Sequence, residues 1–308
     1  MDILDDVLDT LALKGALYFR TDFSPPWGVT VPEHPGAARF HLVVRGHCRV
    51  ELATGAVAEL APGDLVLVPR GRSHVLAHAA GQPAPPLETL MAESGYDGRG
   101  VFVVGRGDAA ARTRMICGHF AFRPGADHPL LRALPDHLVV TAATRRRHPW
   151  LDETLTLLTR RVFADPDRSA AAVTRLSEVL FIDLLRAAVD LAPRLSALLQ
   201  GFRDPPIARA LALIHARPGE SWTVEGLAAA VGLSRSRFAE RFRALIGVGP
   251  MAYLAEWRLQ RAAELLDDPG ASIQQIAFDT GYRSPAAFTR AFAGKFGTPP
   301  ARFRRSAA

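Results

Sequence analysis

The stretch Ser234-Arg235-Ser236-Arg237-Phe238-Ala239-Glu240-Arg241-Phe242 has a counterpart fifty positions later, Ser284-Pro285-Ala286-Ala287-Phe288-Thr289-Arg290-Ala291-Phe292. A serine begins each stretch, and phenylalanines follow at a spacing of four, which places both rings on one face of a helix. Each copy then continues to a glycine and a proline, which are Gly247 and Pro250 in the first copy and Gly297 and Pro300 in the second. Five identities at one offset predict that the same structural unit occurs twice.

The residues before each stretch predict that this unit is a helix-turn-helix. Thr223 and Ser272 can cap a short first helix, because their hydroxyls accept hydrogen bonds from free backbone amides. Gly232 and Gly281 then supply the turn, where glycine tolerates a positive φ. Residues 250–267 are predicted to form one linking helix of about 26 Å. Successive major grooves on one face of DNA are about 34 Å apart, so the two second helices could enter adjacent grooves.

The linking helix is predicted to bury an apolar face, whose residues are Met251, Leu254, Ala262 and Leu265. Arg258 falls in the middle of that face. A buried arginine needs a partner, so we expect Arg258 to be a structural, ion-paired residue and not a DNA contact.

The charge of the chain is concentrated in this region. The 308 residues include 37 Lys and Arg against 31 Asp and Glu, a formal net charge of +6. Residues 205–308 contain 14 of the basic and 8 of the acidic residues, so the last third carries the whole excess. A neutral larger part joined to a basic smaller part indicates that one end binds a polyanion. Only Lys14 and Lys295 are lysines, so the position of an arginine is more informative than the number of arginines.

The composition excludes several classes of protein. With 48% hydrophobic and 22% charged residues, the chain is typical of globular proteins and not of disordered ones. No apolar run approaches the roughly 18–20 residues of a membrane span, and the N-terminus is acidic, unlike a secretory signal. Two cysteines, Cys48 and Cys117, do not make a disulfide framework. We expect a cytoplasmic protein with no membrane partner.

The first 125 or so residues predict many short strands, as in a β-sandwich or barrel. The runs 40–44, 48–52, 65–68 and 101–104 have strand length, and in the second run apolar and polar residues alternate. Helices follow from Pro149. One is predicted to end at Asp165-Pro166, and Ser169–Leu191 forms a second with a wide apolar face, which could pack on the barrel or on a second subunit. Residues 200–206 are the best candidate for an interdomain linker.

The C-terminal hundred residues resemble the DNA-binding domain of the AraC/XylS family of transcription regulators. The motifs that carry the resemblance are Trp222-Thr223-Val224-Glu225-Gly226-Leu227-Ala228, Gly232-Leu233-Ser234, Gly249-Pro250-Met251-Ala252-Tyr253-Leu254, Trp257-Arg258-Leu259, Ile276-Ala277-Phe278, Gly281-Tyr282-Arg283-Ser284, Phe288-Thr289-Arg290-Ala291-Phe292 and the closing Gly297-Thr298-Pro299-Pro300-Ala301-Arg302-Phe303-Arg304. The resemblance implies two helix-turn-helix subdomains on a linking helix that bind double-stranded promoter DNA. RNA polymerase and a second copy of the chain, as a homodimer, are the expected protein partners.

The resemblance also gives candidates for reading bases, by position. They are Arg235, Ser236, Arg237, Glu240 and Arg241 in the first copy, and Ser284, Ala286, Ala287 and Arg290 in the second. Arginine can pair with guanine through two hydrogen bonds, glutamate can accept one from cytosine, and an alanine methyl can contact thymine. The alternative for each arginine is a phosphate contact or a solvated position, and we favour that alternative for Arg241.

The N-terminal region resembles the cupin barrels, which AraC-type regulators commonly carry as effector domains. The pattern Gly63-x5-Pro69-x-Gly71-x2-His74 matches the second cupin motif, and Gly46 resembles the glycine that closes the first. Enzymatic cupins hold a divalent metal with a His-x-His pair, which is missing here. This departure argues against a metal-dependent cupin enzyme fused to the DNA-binding domain, which is the rival function.

A different polar site is predicted from His41, Cys48, His74 and Cys117, which the cupin fold brings near one mouth of the barrel. Two histidines and two cysteines suit tetrahedral zinc, so these four residues are candidate metal ligands and the candidate effector pocket. His119 could substitute for Cys117. Three interpretations stay open: buried structural side chains, a metal or small-molecule site, and a thiol sensor of oxidants.

Together, these patterns predict an α+β protein and not an enzyme. A cupin-like, effector-sensing β-barrel is expected over residues 1–148, helices for dimerisation over 149–204, and two helix-turn-helix motifs over 205–308. The predicted function is a sequence-specific, DNA-binding transcriptional regulator that senses a small molecule, metal or oxidant. A constitutive DNA-binding protein with an inert barrel is a further rival. The sequence leaves activation and repression both open.

Overall fold

The computed structural model describes residues 3–107, 109–164 and 170–307. In chain order, the helices and strands are α1 (Ile3–Thr10), β1 (Lys14–Phe23), β2 (Gly28–Val31), β3 (Ala37–Arg45), β4 (Cys48–Leu52), β5 (Val57–Leu60), β6 (Leu65–Val68), β7 (His74–Ala77), α2 (Leu87–Ser94), β8 (Val101–Val104), β9 (Thr113–Ala121), α3 (Pro129–Ala133), β10 (Leu138–Val140), α4 (Ala142–Arg147), α5 (Pro149–Ala164), α6 (Ala170–Ala187), α7 (Pro193–Arg203), α8 (Pro205–Ala216), α9 (Val224–Ala230), α10 (Arg235–Ile246), α11 (Pro250–Leu265), α12 (Ile273–Asp279), α13 (Pro285–Phe296) and α14 (Pro300–Ala307). The α+β class, the β-rich N-terminal region and the helical C-terminal region are confirmed. None of the described helices combines the length and the apolar character that a bilayer crossing requires.

The chain forms two compact units, and each is assembled from separated segments. The β unit contains Leu13–Phe122 and Leu134–Ala192. The helical unit contains the chain up to Ala12, Arg123–Ala133 and the chain from Pro193 onward. This division differs from the predicted boundaries at 148 and 204. Helices α5 and α6 belong to the β unit, whereas α1, α3 and α7 belong to the helical unit.

The β unit consists of two sheets around a shared apolar core. One sheet has the strand order β10-β6-β3-β9-β1-β8 and the other has β2-β7-β4-β5. Both sheets contribute to the core, for example through Phe19 and Met115 from the first and Val50 and Leu76 from the second. The four predicted strand runs are confirmed, and the alternation in β4 buries Cys48 but leaves Arg49 partly exposed.

The wide apolar face of α6 is buried within its own chain. Leu180, Phe181 and Leu184 are fully buried, and the ring of Phe181 lies 4.9 Å from that of Phe120 on β9. Helix α6 comes so close to β1 that a side chain at Gly15 would meet the Cβ of Ser177 at 2.5 Å. The predicted face therefore covers the larger sheet. The predicted stop at Asp165-Pro166 and the start at Ser169 lie outside the described residues.

The local signals for the two helix-turn-helix motifs are confirmed in the helical unit. Ser234 and Ser284 cap α10 and α13, and their hydroxyls accept from the amides of Arg237 and Ala287. Thr223 and Ser272 cap α9 and α12 in the same way. Gly232, Gly247, Gly281 and Gly297 all have positive φ, as turns and left-handed caps require.

Two predictions around the linking helix α11 are wrong in detail. Leu254 and Ala262 are buried as predicted, but Met251 is 38% exposed and Leu265 is only partly buried. Tyr253 and Trp257 complete the buried face. Arg258 is only partly buried and donates to backbone carbonyl oxygens, from Nε to Pro218 and from an Nη to Glu220, each at 2.7 Å. Its structural role is therefore as predicted, but two main-chain acceptors take the place of the expected carboxylate.

The predicted linker at residues 200–206 is also wrong. Gln200-Gly201-Phe202-Arg203 forms the end of α7, and α8 begins directly afterwards at Pro205. Asp204 caps α8 by accepting from the amide of Ile207 at 3.3 Å. The glycine and the prolines that suggested a flexible connection instead allow close packing and a helix start, because proline is tolerated in a first turn.

A buried chain of hydrogen bonds connects α1, α3, α8 and α11 around the hydroxyl of Tyr253. The amide of Leu130 donates to Nδ1 of His128, so the hydrogen of this histidine lies on Nε2, 3.1 Å from Tyr253. The Tyr253 hydroxyl then donates to Nε2 of His215 at 2.8 Å. Nδ1 of His215 donates to Asp6 at 3.3 Å. Burial lowers the pKa of His215 to about 3 and that of His128 well below its usual value, so both rings are neutral.

We expect Tyr253→Phe to lower the free energy of unfolding by about 1–3 kcal/mol for each buried ring nitrogen that loses its partner. Urea denaturation of the full chain measures the change. Tyr282→Phe is the matched control, because Tyr282 lies in the same unit but outside this chain of hydrogen bonds, and it should cost less. Equal costs for the two variants would contradict the role of the Tyr253 hydroxyl.

Candidate functional site

Helix α10 presents a polar surface formed by its first two turns. Arg235, Ser236, Arg237 and Glu240 are all exposed. Arg235 also forms an ion pair with Glu225 of α9 at 2.5 Å, and both side chains remain mostly exposed. Such an exposed pair is weak, about 0–1 kcal/mol, so a phosphate or a base can replace the carboxylate at little cost.

Arg241 differs from these residues because the helical unit already engages it. Its Nε lies 3.1 and 3.2 Å from the two carboxylate oxygens of Asp204, and an Nη completes the contact. Asp204 is also the cap of α8. Arg241 therefore joins α10 to the start of α8, and this structural role replaces a base contact in our interpretation.

Helix α13 presents fewer polar groups than α10. Ala286 and Arg290 are exposed, whereas Ala287 is half-buried. The hydroxyl of Ser284 accepts from the amide of Ala287 at 3.2 Å, so it serves as the helix cap. Arg290 is thus the charged side chain among the predicted DNA-contact residues of α13.

In the β unit, the structure brings His41 and His74 together. Their Nε2 atoms lie 2.8 Å apart, and the two residues are 1% and 2% exposed. Nδ1 of His74 lies 2.8 Å from the carbonyl oxygen of Arg72, which can only accept. Burial lowers the pKa of His74 to about 4 and that of His41 well below its usual value, so both rings are neutral.

These contacts define where each hydrogen lies. His74 carries its hydrogen on Nδ1 and donates it to Arg72, which leaves its Nε2 as an acceptor. His41 therefore donates from its own Nε2, and its Nδ1 has no hydrogen. Within the described residues, this buried Nδ1 has no hydrogen-bond partner. The histidine pair therefore leaves one buried acceptor, Nδ1 of His41, without a hydrogen bond in the described residues.

Cys48 and Cys117 are also buried in the core of the β unit, and both thiols are free. Cys117 lies opposite His41 in the register of β9 and β3. Burial raises the pKa of Cys48 to about 12 and raises that of Cys117 as well. Both sulfurs therefore remain protonated near neutral pH, which is the opposite of the setting that makes a cysteine reactive.

The predicted metal site is only partly assembled. In the described ranges, no three His, Cys, Asp or Glu side chains lie close enough to hold a metal ion. His119 lies beside His34, with ring centroids 5.1 Å apart, and in register with Arg39. Zinc binding by His41, Cys48, His74 and Cys117 stays a prediction, and the histidine pair is the part of it that the structure brings together.

A narrow apolar cavity of about 20 Å³ lies beside the histidine pair. The side chains of Phe19, Thr21, Phe23, Val29, Val31, His41, Leu76, Leu87, Phe102, Met115 and Cys117 line it. The sequence did not identify Phe19, Thr21 and Phe23 of β1 as residues of this cavity. The period-2 spacing of Phe19, Thr21 and Phe23 indicates that they share one face of the strand, but only the fold places that face opposite His41.

Comparisons with known proteins match different families to the N-terminal and the C-terminal parts of the chain. A family profile described as Cupin matches residues 2–190, and one described as Helix-turn-helix domain matches residues 227–306. A putative AraC-like transcription regulator of Streptomyces lividans is 33% identical over 99% of this chain and 98% of its own. The transcriptional regulator AlkR of Acinetobacter baylyi is 30% identical and covers 99% of both chains.

Among solved structures, the DNA-binding domain of AdpA in complex with a target DNA is 33% identical to this chain. It covers 33% of this chain and 92% of that domain, with a TM-score of 0.31. The RCS-specific activator RclR of Escherichia coli is a more distant full-length relative, 25% identical over 99% of this chain and 97% of its own.

The neutral His74 predicts that acid destabilises the protein. An unfolded histidine has a pKa of about 6.5, whereas that of folded His74 is about 4. Between these values the unfolded chain binds a proton that the folded chain does not, so the free energy of unfolding falls as the pH falls. In urea denaturation from pH 6.5 to 4, His74→Gln should reduce this slope by up to about 1.4 kcal/mol per pH unit. Equal slopes in the wild type and the variant would contradict a neutral His74.

The raised thiol pKa values predict slow alkylation of Cys48 and Cys117. Iodoacetamide should modify them in the native protein at least about 100-fold more slowly than in urea, because the thiolate is the nucleophile. Mass spectrometry of timed samples measures both rates. Native alkylation at the unfolded rate, or a Cys48–Cys117 disulfide after brief peroxide treatment, would instead support the thiol sensor.

Proposed function

Because the chain belongs to the AraC-like transcription regulators and has a cupin N-terminal domain, we propose that it couples promoter binding to an effector bound in the β unit. One observation carries the DNA-binding part of the proposal. Two capped helices, α10 and α13, each display an exposed arginine, Arg237 and Arg290, in a region that holds the whole positive excess of the chain. Exposed arginines on paired helices suit recognition of guanine in successive major grooves.

The proposed DNA contacts follow from exposure. On α10 they are Arg235, Ser236, Arg237 and Glu240, and on α13 they are Ala286 and Arg290. Ser284 contributes as a cap, which orients the amide end of α13 toward a phosphate. Arg241 is left out, because Asp204 already holds it.

The β unit is the proposed effector domain. The support is the cupin match over residues 2–190, together with a buried polar pair, His41 and His74, beside an apolar cavity of about 20 Å³. Its relatives are named as transcription regulators, and we propose that the chain has no enzymatic activity. A constitutive regulator with an inert β unit is the rival, and operator affinity that no metabolite changes would favour it.

The proposed partners are promoter DNA, RNA polymerase and a second copy of the chain, in the cytoplasm. Much of the apolar face of α6 is used within the β unit, so the proposed dimer surface is the outer side of α5 and α6. Trp150, Leu157 and Val179 are 74%, 44% and 45% exposed there. Sedimentation of the wild type and of a Trp150→Ser variant tests this surface.

We expect Arg290→Ala to weaken binding to the preferred site by about 1–3 kcal/mol and to relax one base position. The preferred site is first selected from random duplexes with the full-length protein, and the selection is then repeated with the variant. Arg305→Ala is the matched control, because it removes the same charge from an exposed position on α14.

The control should weaken binding to all sequences alike and leave the selected site unchanged. If the Arg290 variant selects the same site as the wild type, Arg290 does not read a base. A salt dependence that implies ten or more phosphate contacts per subunit would show that the DNA footprint is larger than the helices α10 and α13 provide.

A further inference from the structure

Residues 123–133 of the helical unit, which we call the strap, come from the chain between β9 and β10. The strap is fixed along the linking helix. Three pairs span the length of α11 and the residues just after it, namely Arg132–Glu256, His128–Tyr253 and Arg123–Asp267, at 2.7, 3.1 and 2.6 Å. The strap therefore has its own attachment to α11.

The strap also contacts the last turn of α13. Asp127 accepts from Nζ of Lys295 at 2.6 Å, and the side chain of Lys295 is only 18% exposed. Gly125 lies so close to Phe296 that a Cβ at this glycine would meet the ring at 2.4 Å. Lys295 and Phe296 are the last two residues of α13, the helix that carries Arg290. The strap thus connects the end of the second recognition helix to α11.

The first recognition helix, α10, is held by a different part of the chain. Arg241 of α10 binds Asp204, which caps α8. Gly201 of α7 packs against Leu245 and Ile246, at the end of α10. Separate segments therefore hold the two recognition helices, and both segments lie outside the helix-turn-helix motifs.

We infer that the strap positions α13 for DNA recognition and so fixes the spacing that the protein accepts between the two parts of its site. Asp127 and Gly125 are the positioning residues. The inference rests on the proposed function, because the separation of α10 and α13 matters only when they bind successive major grooves. A helix that is held in place before binding loses less freedom when it binds.

The test compares two duplexes with the full-length protein. One is the selected site, and the other has one base pair inserted between the parts that α10 and α13 contact. The selection with Arg290→Ala locates the part that α13 reads. An extra base pair moves that part by about 3.4 Å and rotates it by about 35°. The wild type should bind the inserted site about 10- to 100-fold more weakly, because α13 no longer reaches its base.

Asp127→Asn removes the charge that Lys295 and Arg132 share, at almost unchanged size. It should lower the insertion penalty by up to about fivefold, the range of a half-exposed ion pair. It should also weaken binding to the selected site, although the loss of a negative charge by itself favours DNA binding. Asp136→Asn is the matched control, because Asp136 is equally exposed, at 45%, and pairs with Arg70 in the β unit. The control should leave the penalty unchanged.

Gly125→Ala tests the same role without a change of charge. The added methyl group must push the ring of Phe296 away, so the insertion penalty should fall further than in Asp127→Asn. Gly81→Ala is its control, because Gly81 has a φ of +70°, against +72° for Gly125, and open space where the Cβ would lie. The control therefore carries the same backbone strain without the displaced ring. Urea denaturation checks that each variant is folded.

The ratio of the two affinities separates positioning from stability. A variant that is only less stable loses affinity for both duplexes alike, so an unchanged penalty in both strap variants would overturn the inference and leave the proposed DNA binding standing. A wild type that binds the two duplexes equally would overturn the inference together with the proposed placement of α10 and α13 in successive grooves.

Discussion

The helical unit depends on the hydroxyl of Tyr253, because this one group satisfies two buried histidines that come from distant parts of the chain. His128 donates to it from the segment before α3, and it donates to His215 at the end of α8. His215 in turn donates a hydrogen bond to Asp6 of α1. These side chains all have their hydrogen-bond partners only when α1, α8, α11 and the segment before α3 are in place. The polar contacts therefore make the assembly of the unit cooperative. The linking helix between the two helix-turn-helix motifs is thereby fixed by residues outside the DNA-binding motifs themselves.

The β unit uses the same chemistry but leaves it open. In both units, burial keeps histidines neutral, and a series of hydrogen bonds with defined donors and acceptors orients their rings. In the helical unit, the series of hydrogen bonds leads from His128 through Tyr253 and His215 to the carboxylate of Asp6. In the β unit, the series of hydrogen bonds runs from the carbonyl of Arg72 through His74 to His41. Nδ1 of His41 has no hydrogen-bond partner among the described residues. Satisfied hydrogen bonds of this kind stabilise the helical unit, whereas the unsatisfied Nδ1 of His41 carries a cost in stability for the β unit.

The features that the sequence predicted well are those set by neighbouring residues. The caps at Ser234 and Ser284 and the alternation in β4 follow from groups a few positions apart, and all are confirmed. The features that the sequence did not reveal depend on a distant residue. Arg241 is held by Asp204, 37 positions away, and Gly201 packs against Leu245 instead of giving a flexible linker. The tautomer of His41, which defines the candidate site, depends on a carbonyl that no side-chain motif reveals.

The discontinuous helical unit also has a consequence for how the chain folds as it is synthesised. Helix α1 is synthesised before the β unit, yet the residue that Asp6 contacts, His215, lies 209 positions later. Its apolar residues Ile3, Leu4, Val7 and Leu8 are buried in the folded protein. Contacts of such long sequence separation form late, because the loop between them must be closed first. The β unit can therefore fold before α1 finds its place, and the helical unit is completed only when its segments on both sides of the β unit have been synthesised.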